Sequence, residues 1–258
     1  MINEQTRDLE TVARAFGATL GRASRAPWGD ADATWHLWLE TGRRLVARRF
    51  DRRSTGEAER LATVMRQSAD AGLPVPRARV VTTRNATWLV TAHVEGATGA
   101  AWLDTDDRAR VIAATMGHLR RRLRDLEAEG LFAADDAVRD GRAGHLAGST
   151  FVHGDFAPIN VIVDGTGRIL ALLDFEHVRL GHPLEDVAWW GWVVRHHHPA
   201  AWAAAWPTFA KVAGVDVEAD GPAIRALMLR ELERRATIAT EEADRARWRS
   251  RLDEAASW

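Results

Sequence analysis

The chain has 258 residues, and its 35 basic and 36 acidic side chains leave a formal net charge of −1 at pH 7. A surface without net charge does not attract nucleic acid or an anionic membrane as a whole, so we expect neither as a partner. Cysteine is absent, which excludes disulfides, cysteine-ligated zinc and thiol nucleophiles. The sequence shows no signal-peptide pattern and no apolar run long enough to span a bilayer, so it predicts a cytoplasmic protein.

The N-terminal part of the chain alternates between helical and strand patterns. Apolar residues at helical spacing come first, and alternating apolar residues on either side of Thr41-Gly42 predict a hairpin. The predicted order is helix, two strands, helix, two strands, over 5–20, 35–39, 45–50, 58–65, 80–81 and 88–90. This order favours a small, mainly antiparallel sheet with one helix packed against it.

The pattern changes at a boundary near 93–99, and we predict two domains, 1–96 and 97–258. A long amphipathic helix follows over about 112–126, with charged residues on the face opposite its apolar stripe. Short apolar strands come next, at 149–152, 161–163 and 169–173. Everything after Pro183 is helical in character, so the predicted fold class is α+β with a mainly helical second lobe.

The common short catalytic motifs are absent from the sequence. The only lysine, Lys211, follows Ala210, so no Gly-Lys pair exists and a Walker A phosphate loop is excluded. The dinucleotide-binding, serine-hydrolase and zinc-protease patterns are also missing. The function must therefore be sought in another cluster of residues.

Polar side chains follow the short strands of the second half of the chain. Asp155 and Asn160 come after the first of these strands, and Asp174 comes after the third. Because each polar residue stands where the backbone leaves an apolar strand, we expect their side chains to converge at one edge. A carboxylate and an amide suit Mg²⁺, which keeps several waters and is completed by phosphate oxygens. The remaining carboxylate could orient a hydroxyl and accept its proton, as phosphoryl transfer requires.

The same residues form a longer pattern. His153, Asp155 and Asn160 fit H-x-D-x-x-x-x-N, and Asp174 opens Asp-Phe-Glu in the place of the Asp-Phe-Gly of protein kinases. With the segment 181–188, these landmarks make the chain resemble the aminoglycoside phosphotransferase and choline kinase-like family, which shares the protein-kinase fold. The resemblance implies a two-lobed fold, in which 1–96 is the nucleotide-binding lobe with its hinge and 97–258 is the catalytic and substrate-binding lobe.

The resemblance also implies roles for the residues of the second lobe. Asp155 is expected to be the catalytic base, and Asn160 and Asp174 are expected to hold Mg²⁺. The aspartate of the segment 181–188, Asp186, is expected to support the catalytic loop structurally. The resemblance implies that the phosphoryl donor is ATP or GTP and that the acceptor is a small molecule with a hydroxyl group.

In the first lobe, the resemblance implies a basic residue on the third strand that pairs with an acid on the helix, and we assign Arg48 and Glu59. Arginine can hold phosphate oxygens with two parallel hydrogen bonds. Ala92 and Val94 lie in the expected hinge, whose backbone groups contact the purine base. The first loop, 28–34, is poor in glycine and carries two acids where phosphates are expected to approach.

Two alignments of the third strand compete, because neighbouring residues of a strand point to opposite faces and only one arginine can reach the nucleotide. The protein-kinase pattern Val-Ala-x-Lys selects Arg49, with Ala47 beneath the base. The Val-Leu-Arg pattern of the small-molecule kinases selects Arg48, with Val46 beneath the base. We prefer Arg48.

The acceptor is the least determined part of the prediction. From Val161 onward the sequence has 15 acidic against 12 basic residues, an excess that permits a cationic aminoglycoside or a related antibiotic. A metabolic sugar or amino-alcohol is the alternative acceptor. Two other functions compete with a kinase: a pseudokinase that only binds, and a metal-dependent hydrolase whose ligands would be drawn from His153, Asp155, Asp174, His177 and His182.

Overall fold

The computed structural model describes residues 4–26, 34–126 and 150–258. The chain divides into two compact units, Met1–Glu95 and Gly96–Trp258, here called the N-terminal unit and the C-terminal unit. The predicted phosphate-approaching loop at 28–34 lies outside the described residues except for Thr34.

The N-terminal unit is built on a five-stranded antiparallel sheet in the order β1-β2-β3-β5-β4, which confirms the predicted sheet. Its strands are β1 (Leu20–Arg25), β2 (Thr34–Leu39), β3 (Arg44–Phe50), β4 (Ala78–Thr82) and β5 (Thr87–Ala92). Its helices are α1 (Glu4–Ala15) and α2 (Thr55–Asp70). The predicted hairpin around Thr41-Gly42 is the β2–β3 connection, where Gly42 has a φ of 81°.

The start of the chain differs from the prediction. The first helix ends at Ala15 rather than near residue 20, because Gly17 takes a left-handed φ of 71° and terminates it. The residues that follow form β1, an edge strand that the sequence analysis missed. Its residues are mostly small or charged, and none is fully buried, so the strand has no apolar alternation to reveal it.

The two faces of this sheet are distinguished by the helices packed on them. In β3, Ala47 is buried in the core around α1, so its neighbour Arg48 lies on the other face. Thr87 shares that other face because it pairs across the ladder with Phe50. Thr55, the first residue of α2, bonds to Thr87 with their hydroxyl oxygens 2.7 Å apart. Helix α2 therefore begins on the face that carries Arg48.

The C-terminal unit is dominated by helices, as predicted for the second half of the chain. The helices are α3 (Asp106–Arg124), α4 (Glu185–His197), α5 (Trp202–Ala213), α6 (Val217–Ile238) and α7 (Glu242–Ala256). The strands are β6 (Ala97–Thr98), β7 (Thr150–Val152), β8 (Val161–Val163), β9 (Ile169–Leu172) and β10 (Arg179–Gly181). They form a β6-β8-β9 sheet and a β7-β10 pair. The sequence analysis missed β6 and β10, which are too short for a readable pattern.

The core of the C-terminal unit lies where α3, α4 and α5 meet. Gly117 of α3 lets the two backbones approach, since a Cβ there would lie 2.9 Å from the Cβ of Val212 on α5. Trp190 of α4 is fully buried and stacks on Phe209 with ring centroids 3.8 Å apart. The indole of Trp190 also donates to the sulfur of Met116 over 3.2 Å. Within the three described ranges, none of the helices combines the length and the apolar character needed to cross a membrane.

Candidate active site

The loop after β7 carries the first part of the site. Gly154 has a φ of 79°, and a Cβ there would lie 2.4 Å from the backbone oxygen of His177, so only glycine fits. The fully buried Asp186, at the start of α4, accepts from the backbone N–H groups of His153 and Gly154, each over 2.9 Å. Asp186 therefore fixes two successive peptide groups that lead up to Asp155, in line with the supporting role expected from the resemblance.

Asp186 has a buried cationic partner that the sequence analysis missed. Arg120 of α3 is 2% exposed, its Nε lies 3.8 Å from a carboxylate oxygen of Asp186, and its Nη2 donates to the backbone oxygen of Pro183. Burial lowers the pKa of the Arg120 guanidinium, and the Asp186 charge opposes that shift. A signal was available, because Arg120 lies four residues after Met116 on the apolar face of α3.

His153 is a structural member of the loop rather than a group that faces a ligand. Its ring is fully buried and packs edge-on against Phe175, with centroids 5.1 Å apart. Its Nε2 lies 2.9 Å from the backbone oxygen of Leu173. His153 thus connects the loop after β7 to the end of β9, where Asp174 stands.

Asp155 and Asn160 are in direct contact. The Asn160 side-chain nitrogen donates to the Asp155 carboxylate oxygen Oδ2 over 2.8 Å and to the Asp155 backbone oxygen over 2.9 Å. The backbone oxygen of Asn160 accepts from the N–H of Leu173 over 2.8 Å. Because the amide nitrogen of Asn160 makes both side-chain bonds, its amide oxygen remains as a ligand for a cation.

Asp174 stands at the same end of the β8–β9 ladder as Asn160. Asn160 precedes β8 and Asp174 comes shortly after β9, and these strands are paired through Val161 and Leu172. Asp174 is exposed, and among residues 4–26, 34–126 and 150–258 it is the only non-glycine residue with a positive φ, 63°. Such a conformation costs on the order of 1–3 kcal/mol and is typical of functional sites. An exposed carboxylate beside an amide oxygen is a donor set that fits Mg²⁺.

The alternative function, a metal-dependent hydrolase, requires a metal centre, and the described part of the chain shows none. No three His, Asp or Glu side chains come together there as a possible metal site. His153 is buried with its Nε2 bonded to the backbone, so it is not available to a metal.

The other oxygen of Asp155 has two partners that the sequence analysis did not assign to the site. Trp189 of α4 donates its indole N–H to Asp155 Oδ1 over 2.7 Å, and Nη2 of Arg235 on α6 lies 3.3 Å from the same oxygen. The guanidinium carbon of Arg235 is 3.9 Å from the centroid of the Trp189 ring, and its Nε donates to Glu231 over 2.9 Å. Arg235 is 80 residues from Asp155 in the chain, and no local pattern marks it.

Glu231 is the centre of a second charged group on α6. Arg234 donates to both of its carboxylate oxygens, over 2.8 and 2.7 Å. Burial alone would raise the pKa of Glu231, but the bonds from Arg234 and the charges of Arg235 and Arg234 lower it. Glu231 is therefore ionised at neutral pH.

The candidate nucleotide residues lie in the N-terminal unit. Arg48 is on the face where α2 begins, whereas Arg49 is exposed with its Nη1 3.9 Å from Asp51. Glu59 is exposed on α2. The opposite faces of Arg48 and Arg49 are those expected of a strand, and the roles assigned to Arg48 and Glu59 stay predictions.

The expected hinge residues continue from the last strand of the sheet. Ala92 ends β5, where it pairs with Leu45 and is exposed, and the N–H of His93 extends the ladder by donating to the Arg44 backbone oxygen over 3.0 Å. Val94 is half-buried. Their role in purine contact also stays a prediction.

An antiparallel sheet unit followed in the chain by a helical unit, with Asp155 and Asn160 in one loop and Asp174 after the next hairpin, is the arrangement of the kinase-like phosphotransferase fold. The comparisons with known proteins agree. The model of the phosphotransferase enzyme family (APH) matches residues 22–146 and 127–226. The chain therefore belongs to this family. A search of curated protein sequences found no significant match.

Solved structures of the same fold resemble the chain over nearly its whole length. Macrolide 2'-phosphotransferase type I has a TM-score of 0.69 at 20% identity, covering 97% of this chain and 98% of its own. The macrolide 2'-phosphotransferase of Brachybacterium faecium has a TM-score of 0.61 at 20% identity, with coverages of 95% and 97%. A GDP and kanamycin complex of APH(2'')-IIIa has a TM-score of 0.67 at 11% identity, with coverages of 97% and 98%. These likenesses establish the kinase-like fold.

Proposed function

We propose that this protein transfers the γ-phosphoryl group of a nucleoside triphosphate to a hydroxyl group of a small molecule, with Asp155 as the catalytic base. The observation that carries the proposal is the fixed Asp155 carboxylate, held by Asn160 on one oxygen and by Trp189 on the other. A base must be held within hydrogen-bond reach of the hydroxyl that it deprotonates, and these two bonds supply that constraint.

The chain's own residues perform five tasks in this proposal. Asp155 orients the acceptor hydroxyl and receives its proton. Asp186 and Arg120 hold the backbone of the loop that presents Asp155. Asn160 and Asp174 would hold Mg²⁺, which supplies neutralisation of phosphate charge when bound. In the N-terminal unit, Arg48 would bind phosphate oxygens and the backbone at Ala92 and Val94 would meet the purine of ATP or GTP.

Asp174→Ala is expected to abolish Mg²⁺-dependent nucleotide binding, because it removes the only carboxylate of the proposed cation site. Asp174→Asn should also lose most of that binding. This variant removes the charge without disturbing the backbone, because asparagine tolerates a positive φ as well as aspartate does. Calorimetric titration with a non-hydrolysable triphosphate, with and without Mg²⁺, measures both effects.

The matched control is Asp164→Asn, at the opposite end of the same two strands, where the carboxylate only organises the exposed β8–β9 turn. This variant should bind nucleotide as the wild type does. Unchanged affinity in both Asp174 variants would remove Asp174 from the cation site.

Arg48→Ala is expected to weaken nucleotide binding by roughly tenfold or more, because a charge-assisted hydrogen bond to phosphate is worth about 1.5–3 kcal/mol. Arg48→Lys should keep much of the affinity, since an ammonium also binds phosphate. Arg49→Ala, one residue further along the strand, should stay within a few-fold of the wild type. If the two alanine variants show the reverse order in calorimetry, Arg49 is the phosphate ligand.

The acceptor proposed from the family is an antibiotic with a free hydroxyl, with a metabolic sugar or amino-alcohol as the alternative. Support comes from relatives of the same fold that are macrolide phosphotransferases or bind kanamycin. A nucleotide-consumption screen over aminoglycosides, macrolides, peptide antibiotics and sugars tests the proposal. Acceptor-dependent consumption that Asp155→Asn abolishes supports it, whereas nucleotide binding without transfer to any compound supports the pseudokinase.

A further inference from the structure

Two cavities lie beside the partners of Asp155 Oδ1, and both are lined with arginine. One, of about 220 Å³, is lined by Gly154, Arg179, Glu185, Trp189, Leu227, Arg230, Glu231 and Arg234. The other, of about 240 Å³, is lined by His177, Arg234, Arg235, Ile238, Ala239, Thr240, Asp244 and Trp248. Arg234 lines both cavities. Trp189, which donates to Asp155 Oδ1, lines the first cavity, and Arg235, 3.3 Å from the same oxygen, lines the second, so a molecule held in these cavities lies beside the Asp155 carboxylate.

The carboxylates that line the two cavities are already paired with arginines. Glu231 bonds to Arg234 through both oxygens and to Arg235 over 2.9 Å. Glu185 pairs with Arg179 and also lies 3.5 Å from Arg230. In the second cavity, Asp244 pairs with Arg247.

Among the residues that line the two cavities, positive charge exceeds negative charge. Four guanidinium groups, those of Arg179, Arg230, Arg234 and Arg235, stand against three carboxylates, those of Glu185, Glu231 and Asp244. The acidic excess of the C-terminal sequence is therefore not found in the lining of these cavities, and a polycation would have to displace an arginine from each lining carboxylate it used.

Arg234 and Arg235 differ in their freedom to meet a ligand. The Arg235 side chain is 15% exposed, lies on Trp189, and is 5.4 Å from the centroid of Trp248, so it is held in place. The Arg234 side chain is 38% exposed and Arg230 is 66% exposed. Arg234 uses Nε and Nη2 for Glu231, so its Nη1 is the group left to donate to a ligand in the cavities. A planar guanidinium binds carboxylate and phosphate groups with paired hydrogen bonds.

We propose that the acceptor is an anion, carrying a carboxylate or phosphate group that Arg234 binds while the acceptor hydroxyl meets Asp155. This inference rests on the proposed function and narrows its substrate class. Arg234 is then a specificity-determining residue, and polycationic aminoglycosides are disfavoured as acceptors.

The test is a binding experiment with four sugars that share one ring and differ in charge: glucuronate, glucose 6-phosphate, glucose and glucosamine. Tryptophan fluorescence of the full chain at low ionic strength, without nucleotide, follows binding, because Trp189 and Trp248 line the cavities and are among the 12 tryptophans that contribute to the signal. We expect at least one anionic sugar to bind tenfold or more tighter than glucose, and glucosamine and kanamycin to bind no tighter than glucose. The tighter of glucuronate and glucose 6-phosphate identifies the anionic group.

Arg234→Gln should remove the preference for the anionic sugar. The control is Arg110→Gln, because Arg110 is also half-exposed on a helix and paired with a carboxylate three residues earlier. This control should keep the preference. Equal binding of the four sugars, tighter binding of glucosamine or kanamycin, undetectable binding of both anions, or a preference that survives Arg234→Gln would each overturn the inference.

This experiment does not depend on catalysis. Selective binding of an anionic sugar without any phosphoryl transfer would contradict the proposed function and leave only the anion-binding role of Arg234 standing. Efficient phosphorylation of kanamycin alone would support the proposed function and contradict the inference of an anionic acceptor.

Discussion

Asp155→Asn is expected to lower turnover by about two orders of magnitude or more, the scale of a lost general base. Asparagine can keep the shape of the side chain and can still accept the indole hydrogen bond of Trp189, but it cannot take the proton of the acceptor. The fold and the affinity for nucleotide should therefore be retained. Steady-state kinetics with the best acceptor from the screen, together with calorimetric nucleotide binding, measures both parts.

The control for this variant is Asp164→Asn, the same substitution at an exposed turn of the C-terminal unit, which should have wild-type kinetics. Full activity of Asp155→Asn would remove Asp155 from the mechanism.

Asp186→Ala is expected to cost the C-terminal unit about 3–5 kcal/mol of its free energy of unfolding, because it leaves a buried charge without its partner. The unpaired charge would be the Arg120 guanidinium, and the N–H groups of His153 and Gly154 would also lose their acceptor. Urea unfolding followed by circular dichroism gives the loss directly.

The double variant Arg120→Met with Asp186→Ala should recover part of this stability, since it removes the uncompensated charge. As a control, Asp107→Ala removes an exposed partner of Arg110 and should change stability by about 1 kcal/mol or less. A loss from Asp186→Ala no larger than that of the control would show that the buried pair does not stabilise the loop.

The parts of the site that could be predicted lie close together in the sequence. His153, Asp155 and Asn160 belong to one loop, and Asp174 follows the next hairpin, so spacing alone indicated their convergence. The structure brings Asp155 and Asn160 into hydrogen-bond contact and places Asp174 at the same end of the β8–β9 ladder as Asn160. Local order along the chain is thus sufficient to predict this half of the site.

The other half could not be predicted because it depends on how helices pack. Arg235 reaches Asp155 from α6, and the same helix presents Arg234 to the cavities. In the sequence, both arginines stand in a stretch rich in charged residues, and nothing local distinguishes them. Trp189 is buried, and its hydrogen bond to Asp155 depends on the position of α4.

The composition of the C-terminal sequence does not describe the charge of the cavities. Its acidic excess permitted a cationic acceptor, whereas the cavity carboxylates Glu185 and Glu231 are each paired with arginine. A count over many residues averages the exposed surface with the site, whereas recognition depends on the few groups that line a cavity.

The most direct measurement for the proposed activity is phosphorus NMR of the full chain with Mg²⁺, a nucleoside triphosphate and an acceptor. The account predicts a nucleoside diphosphate and a new phosphate-ester resonance. That resonance should be split by coupling to the proton on the carbon atom that carries the phosphorylated hydroxyl. Asp155→Asn should form neither at a comparable rate. Two results would contradict the proposal that this site transfers a phosphoryl group to a hydroxyl. The triphosphate could stay intact with every acceptor, or it could be hydrolysed to diphosphate and orthophosphate without any phosphate ester.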